Sequence, residues 1–326
     1  MASSMLRSLV QRTVRASTTR RPPARFTTTG ASLAFSSLNE FAMDFAAPLG
    51  SGVCGSVYSG VHRCTGQDVA VKLISPVVLP GITPGGDAAS EGAEREKNAF
   101  EHVLQGGASH PNVMQLFGCF EGELIDAARQ GLHVPKDAEV SEDSVHYSVM
   151  ELLEGPSLGD KLHENGSFEE DEAKDVTRAI CAGLDFLHQQ GIAHRDVKPS
   201  NVLCTLGGEP KLIDFSHAGV VPEIVSPDAA WFEKRLGTPG FVAPEVMAQR
   251  EPYSLKCDVY SLGCTVHAML ANGKAPRFYS RCGTITMLPD TVSPAGAAFI
   301  RALLHSNPQE RPTIAEALQD PWLQAC

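Results

Sequence analysis

The sequence predicts an α+β fold in two lobes, a strand-rich one followed by a larger helical one, with a cleft between them. Three observations predict it. The chain has 326 residues and is 43% hydrophobic, enough for a substantial core. Strand-like segments crowd the first half, and helical patterns dominate from Ser157 onward. Elements segregated in this way pack as separate bodies, and ligands favour the crevice where two bodies meet.

Folded pattern begins near Phe41. Val57-Tyr58 and Val69 to Ile74 are β-branched and bounded by Gly, which predicts strands. Ser75 to Gly92 is rich in Pro and Gly and reads as a loop, and Ala93 to Leu104 reads as a helix. His110-Pro111-Asn112 is a turn leading into a strand through Phe120. Gly122 to Ser144 is polar and acidic, a surface insertion, and Tyr147 to Leu153 is again a strand. Within the helical half, Val202-Leu203 and Lys211-Leu212-Ile213 interrupt as short strands. The lobes then run from about 41 to 153 and from about 154 to 325.

The residues before this pattern are different. Met1 to Asn39 holds no acid, but it holds Arg7, Arg12, Arg15, Arg20, Arg21 and Arg25. Leu6, Leu9, Val10 and Val14 can share one face of a short helix, which Pro22-Pro23 ends. The composition resembles a mitochondrial transit peptide; the alternative is a disordered basic tail on a cytoplasmic protein. The net charge of −11 argues against a general nucleic-acid binder. No run of about 18 apolar residues offers a membrane span. Nine scattered cysteines form no C-x-x-C pair, so reduced thiols are expected and a zinc site is not.

Gly50-Ser51-Gly52-Val53-Cys54-Gly55-Ser56-Val57 fits G-x-G-x-x-G-x-V. Glycines let backbone N–H groups approach phosphate closely. Alone, such a run is as often a hairpin turn. Here a strand that begins Val69-Ala70-Val71-Lys72 follows it. His194-Arg195-Asp196-Val197-Lys198-Pro199-Ser200-Asn201 fits H-R-D-x-K-P-x-N, and Asp214-Phe215-Ser216 follows a strand. Gly237-Thr238-Pro239 leads to Ala243-Pro244-Glu245, then come Asp258-Val259-Tyr260-Ser261-Leu262-Gly263 and Arg311.

In this order the motifs resemble the catalytic domain of protein kinases, and Lys198-Pro199 and Thr238 resemble the Ser/Thr branch. The resemblance covers about Phe41 to Trp322. It implies a protein kinase-like fold, with an antiparallel β-sheet and one helix in the small N-lobe and a mainly helical C-lobe. It also implies ATP and Mg2+ as cofactors, and Ser or Thr of protein substrates as acceptor. The oligomeric state stays open.

The resemblance implies a nucleotide site built from Leu49, Gly50, Ser51, Gly52, Val53, Cys54, Gly55, Val57 and Ala70. Met150 as gatekeeper, backbone groups of Glu151 and Leu153, Ser157 and Leu203 complete it. Lys72 would hold the α- and β-phosphates and pair with a helix Glu. Among Glu91, Glu94, Glu96 and Glu101, only Glu96 has a large apolar residue, Phe100, four positions on, so Glu96 is the partner expected. Asp196 would accept or orient the substrate hydroxyl proton, Lys198 would neutralise the phosphoryl group, and Asn201 and Asp214 would hold Mg2+. Thr238 would contact Asp196 and Lys198. Glu245 with Arg311, Asp258 and His194 would be structural.

Three departures carry expectations of their own. Ser216 stands where the family has Gly, and it should restrict backbone freedom. Lys234 stands where the family often carries a phosphorylated residue, so Arg195 should find an acid such as Glu233, with Ser226 as another acceptor for phosphate. Ser200 and Ala268 stand where kinases that favour upstream Arg carry acids, so no strong basic preference is expected. The alternative to an enzyme is a binding scaffold on the same fold, for which Ser216 is the support.

Overall fold

The computed structural model describes residues 38–45, 47–52, 55–74, 87–105, 109–123, 144–221, 226, 228–248, 252–279, 283–285 and 287–324. The basic tail up to residue 37, Val53, Cys54, and the bulk of the expected loop and insertion (75–86 and 124–143) lie outside the described residues.

Six antiparallel strands form the small lobe's sheet: β1 (Phe41–Asp44), β2 (Gly50–Gly52), β3 (Gly55–His62), β4 (Asp68–Ile74), β5 (Leu116–Glu123) and β6 (Ser144–Glu151). The order is β1-β3-β4-β6-β5, with β2 folded back on β3. Side chains on a strand alternate between faces. Val69, Val71 and Leu73 of β4 therefore pack with Phe41, Tyr147 and Val149 in one small core. Ala70, Lys72 and Ile74 point the other way. Ala70 joins the large core with Met150, and Ile74 meets Ala93. Lys72 is thus placed on the helix-facing side by the two-residue period of its own strand.

The helix there, α1, runs from Asp87 to Gln105. The described helix already includes Asp87 to Gly92, ahead of the expected Ala93, in keeping with the helix-forming Ala88, Ala89 and Glu91 of that stretch. Gly92 does not end the loop. It is a contact inside the helix, where an added Cβ would stand 3.4 Å from the Ser216 Cβ.

The large lobe starts with α2 (Leu158–Asn165), whose Ser157 N-cap and Asp160 form a reciprocal capping box. α3 (Glu170–Gln189) follows. Then β7 (Ile192–Ala193), β8 (Val202–Cys204), β9 (Pro210–Leu212) and β10 (Gly219–Val220) form two small pairs, β8 with β9 and β7 with β10. The β7–β10 pairing sets the loop 194–201 beside the turn 213–218. α4 (Pro244–Ala248) leads to α5 (Lys256–Leu270), which is buried along its whole length, Asp258 included. A small ribbon, β11 (Arg277–Tyr279) with β12 (Gly283–Ile285), and helices α6 (Pro294–Leu303), α7 (Ile314–Leu318) and α8 (Pro321–Gln324) complete the chain. No helix among the described residues is long and apolar enough to cross a membrane.

Arg311 fastens this lobe. Its guanidinium makes two 2.7 Å bonds to the Glu245 carboxylate, donates to the carbonyls of His305 and Lys256, and lies 5.0 Å from the Tyr260 ring centroid. Removing one partner of a buried ion pair strands the other. Arg311→Ala is expected to lower unfolding free energy by about 3–5 kcal/mol. Chemical denaturation checks this, and an unshifted midpoint would contradict it.

Candidate active site

Lys72 reaches two carboxylates. Its Nζ lies 3.2 Å from Glu96 Oε2 and 2.9 Å from Asp214 Oδ1. Glu96 Oε2 also accepts from the Ser148 hydroxyl at 3.3 Å. Of the four candidate acids on α1, Glu96 is the buried one, and Phe100 packs on the large core as its spacing predicted. Burial pushes the Glu96 carboxyl upward, and Lys72 offsets part of this. Burial would also raise Asp214, but the charge and hydrogen bond of Lys72 outweigh it and hold that carboxyl well below its ordinary range.

The loop 194–201 hangs from Asp258. Its Oδ2 accepts the His194 N–H at 2.8 Å, and its Oδ1 accepts the Arg195 N–H at 2.7 Å. This fixes Arg195 at φ +63°, a left-handed conformation that costs a non-glycine residue free energy unless its surroundings enforce it. Asp196 then meets three partners. Lys198 Nζ donates to its Oδ2 at 2.7 Å, the Asn201 amide donates to the same oxygen at 2.9 Å, and the Thr238 hydroxyl donates to Oδ1 at 2.7 Å. Lys198 also donates to Thr238 Oγ1 at 2.6 Å. Burial works to raise the Asp196 carboxyl, but these bonds and the Lys198 charge lower it overall. Gly237 brings Thr238 in: its φ is +113°, and a Cβ there would stand 2.8 Å from the Arg195 carbonyl oxygen.

The two clusters adjoin. The Ile213 N–H donates to the Asn201 carbonyl at 3.0 Å. His217 Nδ1 lies 4.0 Å from Asp196 Oδ2, and burial lowers its pKa, against the pull of both acids toward the charged form. The sequence reading missed His217, Ser148 and Arg95, which follow no motif. His194 is structural: it is buried and bonded to the Ile213 carbonyl at 3.0 Å.

The other residues that the resemblance assigned to nucleotide lie on the sheet and on the start of the large lobe. Gly50, Ser51 and Gly52 pair with Val57, Ser56 and Gly55, and Leu49 donates its N–H to Val57. Gly55 has φ +113°, and a Cβ there would lie 2.4 Å from the Leu73 carbonyl oxygen. Met150 is buried opposite Ala70. The Glu151 N–H is donated to the Gln115 carbonyl at 2.9 Å, and Leu153 follows it. Leu203 bridges to Ser157, whose hydroxyl is engaged with Asp160.

Two expectations need correction. Ser216 does not occupy a glycine-type conformation. The left-handed residue of that turn is Asp214, at φ +65°. Ser216 is buried, and its N–H donates to Asp214 Oδ1 at 3.3 Å. Arg195 does not turn to Glu233, which is exposed. Its guanidinium donates to the His217 and Ala218 carbonyls at 2.6 and 2.7 Å and lies 4.7 Å from the Phe232 ring centroid. Carbonyl oxygens and an aromatic face satisfy it where an acid was expected.

Residues 43–323 match the family model described as protein kinase domain. The chain belongs to the protein kinase family. It is 32% identical over 84% of its length to hormonally up-regulated neu tumor-associated kinase homolog A of Xenopus laevis, covering 37% of that protein. The human hormonally up-regulated neu tumor-associated kinase is 31% identical over 84% of this chain and 35% of its own length. The mitogen-activated protein kinase kinase kinase bck1 of Aspergillus fumigatus is 31% identical over 81% of this chain and 16% of its own. The chain thus spans little more than a third, or less, of these relatives.

In this kinase domain Asp196, Asp214 and Asp258 all have lowered pKa values in the fold. Carboxylates lowered on folding stabilise above their unfolded pKa, near 3.9, and that contribution is lost as pH falls through the folded values. Glu96, raised by burial, has the opposite sign. Stability from urea melts is therefore expected to fall below about pH 4, and less steeply in Asp258→Asn. Parallel curves for the two proteins would contradict the assignment.

Proposed function

We propose that this kinase domain transfers the γ-phosphoryl group of ATP, with Mg2+, to Ser or Thr hydroxyls of protein substrates. The observation that carries the reading is the meeting of Asp196, Lys198 and Thr238 beside the Lys72–Asp214 pair. Asp196, held ionised, accepts or orients the proton of the attacking hydroxyl. Lys198 sets a positive charge beside it, and Thr238 fixes both. Lys72, oriented by Glu96, would hold the α- and β-phosphates.

The residues fit a magnesium ion. Both bonds described for the Asp214 carboxylate go to Oδ1, which leaves Oδ2. The Asn201 amide nitrogen is committed to Asp196, so its oxygen is the atom it can offer. One carboxylate and one amide oxygen suit a hard cation that takes its remaining ligands from phosphate and water. Bound there, Mg2+ would neutralise charge on the phosphates. Positioning and charge neutralisation are most of what phosphoryl transfer requires of a protein.

Substrate preference follows from what flanks Lys198. A cavity of about 550 Å3 is lined by Leu162, His163, Lys198, Ser200, Thr238 and Phe241, among others, with no carboxylate among its described lining residues. Ala268 is buried and out of a substrate's reach. A peptide array should show no dominant upstream Arg; a signal governed by upstream Arg would overturn this preference.

The central test is Mg-ATP-dependent phosphorylation of a general protein substrate by the full chain. Asp196→Asn should lower kcat by roughly 10²–10⁴-fold while nucleotide binding persists. Unchanged turnover would refute the role of Asp196. Absence of turnover in the unsubstituted chain would favour the scaffold.

A further inference from the structure

Lys234 stands in the segment between Asp214 and Glu245. Its Nζ meets both oxygens of Glu91 on α1, at 3.0 and 2.9 Å. Glu91 also accepts from Arg95 Nη1 at 3.1 Å, one helical turn along. Arg95 donates its Nε–H to the Ser216 carbonyl at 2.8 Å. The segment therefore grips α1 at two places, near its start and at Lys234. The same helix carries Glu96, one residue after Arg95.

Other described residues of the segment are held by unmodified groups too. Phe232 and Tyr253 exchange backbone hydrogen bonds at 3.0 and 2.8 Å, and the Tyr253 hydroxyl donates to the Lys234 carbonyl at 2.7 Å. Asp228 meets Lys256 at 3.2 Å. Arg195, the cation for which an acid was expected, already has carbonyl partners and lies against the Phe232 ring.

We infer that Glu91, Arg95 and Lys234 are positioning residues that hold α1, and with it Glu96 against Lys72, with no phosphate on the segment. The consequence for turnover rests on the phosphotransfer reading above; the contact itself does not. An isolated exposed ion pair contributes little, because water screens it and both side chains lose freedom. Here one carboxylate serves two cations, and one of those is tied to a backbone carbonyl, so the group is a small network. Its exposure makes it sensitive to salt.

The test is a double-mutant cycle on the full chain, co-expressed with a phosphatase and shown by mass to carry no phosphate on 214–245. Lys234→Met, Glu91→Gln and the double variant are compared with Lys234→Arg. Two quantities are read, kcat and amide hydrogen exchange across 87–105. Each single loss should lower kcat by roughly two- to fivefold and speed exchange in that helix. The double should be no worse than the worse single. Lys234→Arg should keep both properties, and raised salt should move the unsubstituted chain toward the variants. Unchanged exchange in the single variants, strictly additive losses, or activity that appears only after phosphorylation would overturn the inference. If the unsubstituted chain turns over no substrate in either form, the phosphotransfer reading fails, and the exchange cycle alone decides the contact.

Discussion

A carboxylate wholly shut off from water organises the large lobe. Asp258 lies on α5, a helix buried on every face, and accepts from the His194 and Arg195 amides and from His188 Nε2 at 3.0 Å. An ionised group in such a place is tolerable only when its lone pairs are filled by well-placed donors. Two of those donors belong to the loop that carries Asp196. The same bonds hold Arg195 left-handed, which turns the next residue toward Lys198 and Thr238. Thr238 arrives because Gly237 can pack its backbone against the Arg195 carbonyl. The placement of Asp196 therefore depends on a helix more than sixty residues later in the chain.

Around that frame the charges are unequal. Glu96, Asp214 and Asp196 set three carboxylates against the ammoniums of Lys72 and Lys198. Lys72 alone answers two of them. In a partly buried site an excess of negative charge is poorly screened. On the proposed reading, a cation that arrives with the nucleotide relieves this excess, and the phosphates it accompanies need Lys72. Site and ligand are then complementary only as a set, which is how binding is kept from neutralising the wrong partner.

Much of this was legible in the sequence, because the decisive groups lie in short windows. Eight residues from His194 to Asn201 contain an acid, an ammonium and an amide, and the fold brings all three onto one another. The selection of Glu96 rested on one spacing rule, an apolar residue four positions on, and burial followed that rule. Other features were not legible for physical reasons. Gly92 reads as a helix breaker, yet the chain uses it for close packing inside α1. The left-handed position of the turn falls on Asp214 and not on Ser216, since sequence shows a residue type and not which φ it must take. The partner of Lys234 is 143 residues away, and no local pattern selects one exposed acid over another.

The contacts differ in what can disturb them. Asp258 and the Arg311–Glu245 pair are buried or nearly so, and salt reaches them little. They fix the architecture, and breaking one damages the fold itself. Lys234 and Glu91 are each about half exposed or more, at 64% and 50% of their side chains. A contact of that kind is too weak to shape the lobe, but it is strong enough to bias a helix whose correct and displaced positions are close in free energy. Asp258 therefore sets where Asp196 stands, while, on the inference above, the surface pair adjusts how often Glu96 stands against Lys72. A substitution at the surface should grade activity without unfolding the domain, whereas one at Asp258 would not separate the two.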